Sequence, residues 1–565
     1  MNTERKPLGV LLEERGLIRN QHVKYALQEQ KVTGEKMGEV LERMGFVTQF
    51  DVASLVADQA GIRYLDVDRV VPDKEALRVF NKNLCVKNDF LPIKLHEDHV
   101  EVVSAATNPE MLIQTIQRHS ASSKPPILHQ GERRKIQQAI QHYYYFLENP
   151  IEKLIEKEIA QATLMPDSAQ NLDSLLSHMF TLAIRYRTSD IHIRPGPLSI
   201  AIAFRIDGMM HPMFSLNRSL MRLVATIKMR AKMDLAEQRK PQDGRFSITV
   251  LDMGYDVRVS TLVCPHGENV VMRILPRDIG VKGLGELGFE ASDVERLRQL
   301  FNEPYGIVLL TGPTGSGKTT TLYAGIQAQD VIGKNVLTVE NPIEYQIPSI
   351  RQTEVNVKSG YGFANAIPHF LRHDPDIIML GEIRDEDTAR TALIAAETGH
   401  VVLSTLHTND VFGAIPRLLS LGVSHVMLAD SLLGVVSQRL VRRICSNCKE
   451  SYAPTNEERA ILGDHELTTL YRGRGCDSCN ETGYIGRVPI YEIWRISEEV
   501  TASLARGETM DRIISLAKQG DYNDIRSIAV GKVLTGETTS DELIRILGRG
   551  ASRSQTRNSA DDQIT

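Results

Sequence analysis

The stretch that decides the fold reads Gly306-Ile-Val-Leu-Leu-Thr311, then Gly312-Pro313-Thr314-Gly315-Ser316-Gly317-Lys318-Thr319-Thr320. Its first six residues form an apolar run of strand length, and its last residues open a helical pattern that continues through Leu322 and Ile326. Between them the pattern G-x-x-x-x-G-K-[ST] is matched in full, in the strand–turn–helix setting that it requires. Glycines let backbone N–H groups curl around phosphate oxygens, and the N-terminus of the following helix adds favourable partial charge. Residues 312–320 are therefore the expected nucleotide-phosphate cradle. Lys318 is expected to reach the β- and γ-phosphates, and Thr319 to give its hydroxyl to Mg²⁺.

Outward from this loop, NVLTVE (335–340), DIIML (376–380) and HVVLSTLHT (400–408) are short apolar runs separated by helical stretches. That alternation predicts a doubly wound α/β sheet. Glu340 and Glu344 follow the first run, and Glu382 follows the second, after Gly381. A carboxylate at the C-terminal end of such a strand faces the ligand crevice. Each of the three is a candidate to hold the metal or activate water, and the sequence leaves the choice among them open. Gly381 stands where many P-loop enzymes place an aspartate, so magnesium is expected to rely on Thr319, water and Glu382. His407 is a further crevice candidate, suited to sense a γ-phosphate or to bond an acidic group; a lone histidine after a strand otherwise serves packing.

The chain has 565 residues, a length that predicts about four domains. Lys and Arg number 66 against 71 Asp and Glu, which argues against a strongly basic nucleic-acid binder. Aromatic residues are 5% of the chain, so stacking platforms for single strands are sparse. The first 60 residues carry an internal repeat: Leu8-Gly9, Leu12, Gly16, Ile18 and Gln30 recur as Met37-Gly38, Leu41, Gly45, Val47 and Gln59. Each copy predicts a helix, a glycine-marked turn and a second helix. Expected next are a small α/β module (61–148), a helix and linker (149–172, with the loop-like stretch Thr163 to Asn171), an α+β domain (173–280), the P-loop domain (281–548) and a disordered tail (549–565). Apolar runs stay well short of the roughly 18–20 residues that cross a bilayer, and the run Leu8 to Leu12 is too short for a signal-peptide core. The chain is expected in the cytoplasm, with only peripheral membrane contact.

Cys445-x-x-Cys448 and Cys476-x-x-Cys479 form two knuckles within 440–490. Four thiolates in tetrahedral array suit Zn²⁺ and leave no open position, so the expected role is structural. A redox dithiol is the alternative. Cys85 and Cys264 have no partner by spacing and are expected to be buried small hydrophobes.

These segments together resemble the GspE/PilB family, the ATPases of type II secretion and type IV pilus assembly. SDIHIRP and FRIDG resemble its N-terminal domain strands, and MDLAEQRKPQDGRF, DVRVSTL and HGENVVMRIL its arginine-bearing stretch. LTVENPIE resembles its Asp box, DPDIIMLGEIRD its atypical Walker B, TGHVVLSTLHTND its His box, and QRLVRRICSNC with GCDSCNETGYIGRVPIYEI its four-cysteine element. The resemblance implies a PAS-like domain before a RecA-like motor domain and a homohexamer hydrolysing ATP. It places the chain at the inner face of the inner membrane, working on a platform protein there. It makes Arg245, Arg258 and Arg273 candidates to reach phosphate, against ordinary ion pairing on a strand surface. The cysteine element argues for extension or export over retraction. Two departures stand out: Asn341 replaces the usual Asp-box aspartate, and Arg194 a frequent glutamate. The N-terminal repeat also resembles a cyclic di-GMP-binding module, which makes Arg5, Leu8, Gly9, Gln30, Lys36, Gly38 and Gln59 candidate contacts; docking to a membrane-bound partner is the competing role. A RecA-like nucleic-acid motor and a nucleotide-binding switch without turnover are the alternative functions.

Overall fold

The computed structural model describes residues 7–106, 109–120, 124–166, 168–277, 280, 282–329, 331, 333–347 and 349–548. The expected tail 549–565 and Arg5 lie outside the described residues. The chain divides into two compact units, one made of Met1–Leu55 with Gly280–Thr565, the other of Val56–Ile279.

The second unit holds two sheets. The smaller has the order Arg63–Tyr64, Ile127–Gln130, Val100–Ser104, Phe90–Leu95 and packs on the helix Arg133–Glu148. The larger has six antiparallel strands in the order Met209–Asn217, Ser199–Ile206, Thr188–Pro195, Gly267–Pro276, Met253–Cys264, Gln242–Val250. Its inward residues, such as Ile191, Ile193, Val257, Val259, Val270 and Met272, alternate along the strands as a half-buried sheet demands.

The structure corrects the expected linker. The polar stretch 163–171 breaks the chain only briefly: one helix runs Ile151–Leu164 and the next Ala169–Arg185. Ser168 caps the second, its hydroxyl accepting from the Asn171 amide. Leu172, Leu175, Leu176, Met179, Phe180 and Ala183 recur at helical spacing, and both helices enter the core of the six-stranded sheet. The expectation that Cys264 is buried is also corrected: it is half-exposed at the end of its strand, whereas Cys85 is buried beside the Tyr144 hydroxyl at 3.2 Å.

The first unit contains an eight-stranded sheet in the order Arg351–Glu354, Val336–Glu340, Ile377–Leu380, Val401–Leu406, Gly306–Thr311, Leu432–Ile444, Tyr484–Arg495, Tyr522–Asn523. The first six strands pair in parallel and the last two are antiparallel. The central parallel strands are buried throughout, with helices packed against them, hence their unbroken apolar runs. The chain is thus α/β, with a RecA-like P-loop domain whose sheet order changes direction around Gly306–Thr311.

At the N-terminus the helices Leu8–Glu14, Asn20–Thr33, Met37–Arg43 and Gln49–Ala60 follow the repeat. Gly16 and Gly45 both take left-handed conformations, at φ 69° and 74°. In each turn the next residue's amide bonds back to the helix, Leu17 to Leu12 O and Phe46 to Leu41 O.

Candidate active site

The phosphate loop leaves the strand Gly306–Thr311 at Gly312 and ends in the helix Lys318–Gln327. Gly312 and Gly317 have φ of 135° and 90°, so both need glycine for conformation. They also need it for space: a Cβ on Gly312 would lie 2.4 Å from the Gln438 carbonyl oxygen, and one on Gly317 would lie 2.8 Å from Gln438 Nε2. Gln438, on the neighbouring strand Leu432–Ile444, therefore moulds the loop. Its Oε1 accepts from Thr321 Oγ1 at 2.8 Å. No motif singles out Gln438, whereas Thr321 stands in the visible run of threonines.

Lys318 is 8% exposed. Its Nζ donates to the carbonyls of Gly312 at 2.8 Å and Pro313 at 3.0 Å. Burial lowers its affinity for the proton, and the Glu382 carboxylate works the other way. Pro313, Thr314 and Gly315 are exposed, Ser316 is buried, and Thr319 and Thr320 are half-buried in the first turn.

Glu382 follows the strand Ile377–Leu380. One of its oxygens, Oε2, lies 2.7 Å from Arg384 Nε and 3.3 Å from His407 Nε2. His407 follows the strand Val401–Leu406, which pairs with Ile377–Leu380 on one side and Gly306–Thr311 on the other. Lys318, Glu382 and His407 thus meet at the C-terminal ends of three adjacent parallel strands, the ligand crevice of an open sheet. Gly381 has a packing reason: a Cβ there would come within 3.2 Å of the Phe363 ring.

Glu340 is placed differently. It is 2% exposed, and its carboxylate accepts from the Tyr323 hydroxyl, from Thr338 Oγ1 at 2.6 Å and from Gln352 Nε2 at 3.1 Å. Three donors around a buried carboxylate describe a structural anchor joining the phosphate-loop helix to the strand Val336–Glu340. Glu344 is exposed, and its backbone bonds the same Tyr323 hydroxyl. Arg384 and Tyr323 were not singled out by sequence.

On the six-stranded sheet of the other unit, Arg245, Arg258 and Arg273 fall in direct cross-strand register, and the row continues through Asp190 to Arg205. Arg273 Nε bonds Asp190 Oδ1 at 2.9 Å. Spacing along the chain does not reveal this row, because register does not show in sequence.

The cysteines converge. Sγ–Sγ separations are 3.9 Å for Cys445–Cys476, 3.8 Å for Cys448–Cys479 and 3.7 Å for Cys476–Cys479, and all four sulfurs lie within 4.8 Å of one another. The amides of Cys476 and Gly483 each lie 3.2 Å from Cys479 Sγ. Burial pushes the Cys448 thiol up to about 11 and Cys445 higher still, so a cation would be needed to keep these thiolates together near neutral pH. Four sulfurs with amide support fit Zn²⁺.

Two arginines of the basic run near the first knuckle are engaged within the chain. Arg439 donates to the carbonyls of Ile546 and Asn409, and Arg442 pairs with the buried Glu542 at 2.7 Å while stacking 4.1 Å from the Tyr484 ring centre.

In the N-terminal repeat, Gly9 is buried against Val23, and a Cβ on Gly38 would come within 3.2 Å of Leu8. Leu8 and Gln30 are half-buried; Lys36 and Gln59 are exposed.

The model of the Type II/IV secretion system protein family matches residues 166–545. The chain belongs to that family. An MshEN domain model matches residues 60–149, the module that follows the repeat. The Type II secretion system protein E of Dickeya dadantii is 42% identical over 392 residues, 68% of this chain and 78% of that one. The Type IV pilus assembly ATPase PilB of Thermus thermophilus is 34% identical over 532 residues, 91% of this chain and 59% of that one. The solved structure of the Legionella pneumophila ATPase DotB covers 66% of this chain and 95% of its own, at TM-score 0.51 and 22% identity, which speaks to fold alone. With family, relatives and phosphate loop in agreement, the chain is an ATP-hydrolysing P-loop ATPase of the GspE/PilB family, a secretion and pilus motor class. Among the described residues no helix is long and apolar enough to cross a membrane.

Proposed function

We propose that this chain powers type IV pilus assembly or type II secretion as a homohexamer at the cytoplasmic face of the inner membrane, passing movement to a platform protein there. The observation that carries the reading is the meeting of Lys318, Glu382 and His407 at the crevice of a sheet whose family is shared with secretion and pilus ATPases. The loop 312–320 would cradle the ATP phosphates, with Thr319 holding Mg²⁺. Glu382 would orient or activate the attacking water, with Glu344 as the second candidate. By family resemblance Arg245, Arg258 and Arg273 would be candidates to reach phosphate, and Arg273 is already paired with Asp190. The cysteine quartet would hold Zn²⁺ structurally. With Arg439 and Arg442 engaged inside the chain, the nucleic-acid motor reading loses its main basic cluster.

Two measurements on the full chain test this: phosphate release with and without single-stranded DNA, and mass in solution with a non-hydrolysable ATP analogue. Turnover indifferent to DNA and a mass six times the 63.2 kDa of one chain are expected. DNA-stimulated turnover, or a single-chain mass with nucleotide bound, would overturn the reading.

For the helical repeat we propose cyclic di-GMP binding, supported by the two equivalent glycine turns and the exposed Lys36. Titration calorimetry of the full chain should show saturable binding that Lys36→Ala weakens. No heat from either protein would leave the repeat as a docking module for a membrane-bound partner.

A further inference from the structure

The strand Tyr484–Arg495 carries a carboxyl group that the site described so far does not use. Glu492 is 5% exposed and lies opposite Ser437 in the register of the neighbouring strand. Its Oε2 accepts from the backbone amide of Val411 at 3.1 Å, and its Oε1 from the Tyr522 hydroxyl at 3.3 Å. Val411 is the fourth residue beyond His407 in sequence and is fully buried.

The loop His407–Gly413 is seated around this contact. Phe412 packs on Trp494, with ring centres 5.1 Å apart, and on Tyr522 at 5.2 Å. Trp494 lies two residues beyond Glu492, on the same face of the strand. Arg439 donates to the Asn409 carbonyl at 3.1 Å from the adjacent strand. Within the loop, Asp410 accepts from the Gly413 amide at 2.7 Å, and Thr408 Oγ1 donates to the Asp410 carbonyl. The loop is thus anchored just past His407, the residue whose Nε2 faces Glu382.

We propose that Glu492 is a positioning residue for ATP turnover: by holding the Val411 amide it fixes the loop His407–Gly413 and sets His407 against Glu382. The proposal rests on the reading of Glu382 and His407 as part of the hydrolytic site.

The charged and titratable groups facing Glu492 are Asp410 in the loop, Asp524 at the start of the helix Ile525–Leu534, and Tyr522. Burial pushes Glu492 up to about 7; the Val411 amide pulls the other way, and the Asp410 and Asp524 carboxylates add to the rise. When ionised, both oxygens accept and the loop is held by a charge-assisted bond. When protonated, one oxygen becomes a donor and one of its two partners loses an acceptor. Turnover should therefore rise as pH passes upward through about 7.

The test is steady-state ATP hydrolysis by the full chain across about two pH units either side of neutrality. Glu492→Gln, which is isosteric, should lose the Glu492-linked rise and run about tenfold slower above neutrality, with KM for ATP moving less than about twofold. Tyr522→Phe removes a donor that favours the ionised form, so it should move the rise to higher pH. Hydrogen exchange of the segment holding Val411 should quicken in Glu492→Gln without nucleotide. The proposal is overturned if Glu492→Gln keeps the wild-type pH profile, or if exchange quickens while kcat is untouched. Hydrolysis that survives Lys318→Ala would instead sink the site assignment on which the proposal rests.

Discussion

Lys318→Ala should lower ATP turnover by at least about 10²–10³ while leaving the fold intact. The argument starts from what the side chain does in the loop. An ammonium carries three donors. Two of them bind the carbonyls of Gly312 and Pro313, which fixes Nζ over the loop rather than letting it sweep through solvent. Phosphate oxygens entering the cradle would meet a cation already in place, and preorganised charge stabilises a developing phosphoryl charge without reorganisation. Burial makes the charge costly there, and the Glu382 carboxylate offsets part of that cost. Alanine removes the cation and its two bonds to the loop carbonyls, while the glycine conformations and the close approach of Gln438 still constrain the loop. Phosphate release from the purified variant checks the result. Wild-type turnover would mean that the loop at 312–320 is not the hydrolytic site.

Much of the fold was legible because its signals are local. The strand–loop–helix at 306–327 declares itself through an apolar run, glycines at strained turns and a helical restart. The repeat at the N-terminus is written in glycine spacing, and the two turns at Gly16 and Gly45 share one hydrogen-bond pattern. The knuckle spacing likewise anticipates four sulfurs in one place. What was not legible depends on contacts distant in sequence or on register. Gln438 shapes the phosphate loop from more than a hundred residues away. The arginine row exists only because three strands pair without slippage. The polar stretch 163–171 reads as a linker by composition, yet Ser168 caps a helix whose apolar face is set by the sheet beneath it. Glu340 follows the same rule: its place at a strand end suggests a crevice, but Tyr323 and Gln352 close over it.

That last contrast separates the glutamates by experiment. Glu382→Gln should reduce kcat by about 10²–10⁴ with little change in KM for ATP, because the amide keeps the size of the side chain and loses its negative charge and basicity. The carboxylate sits between Arg384 and His407, and Lys318 senses its charge, so its electrostatic reach covers the phosphate end of the crevice. The variant should therefore load ATP and stall. Glu340→Gln should behave otherwise. Its amide nitrogen would face a donor among Tyr323, Thr338 and Gln352, and one mismatched buried contact costs about 1–3 kcal/mol of stability. A lower melting temperature with activity falling only in proportion to folded protein is the expected result. Binding of a fluorescent ATP analogue, single-turnover hydrolysis and thermal melts on the two variants decide the matter. If Glu382→Gln hydrolyses bound ATP at the wild-type rate, the general-base role passes to Glu344. Glu382 is then left to hold Arg384 and His407, a positioning task that its two contacts already perform.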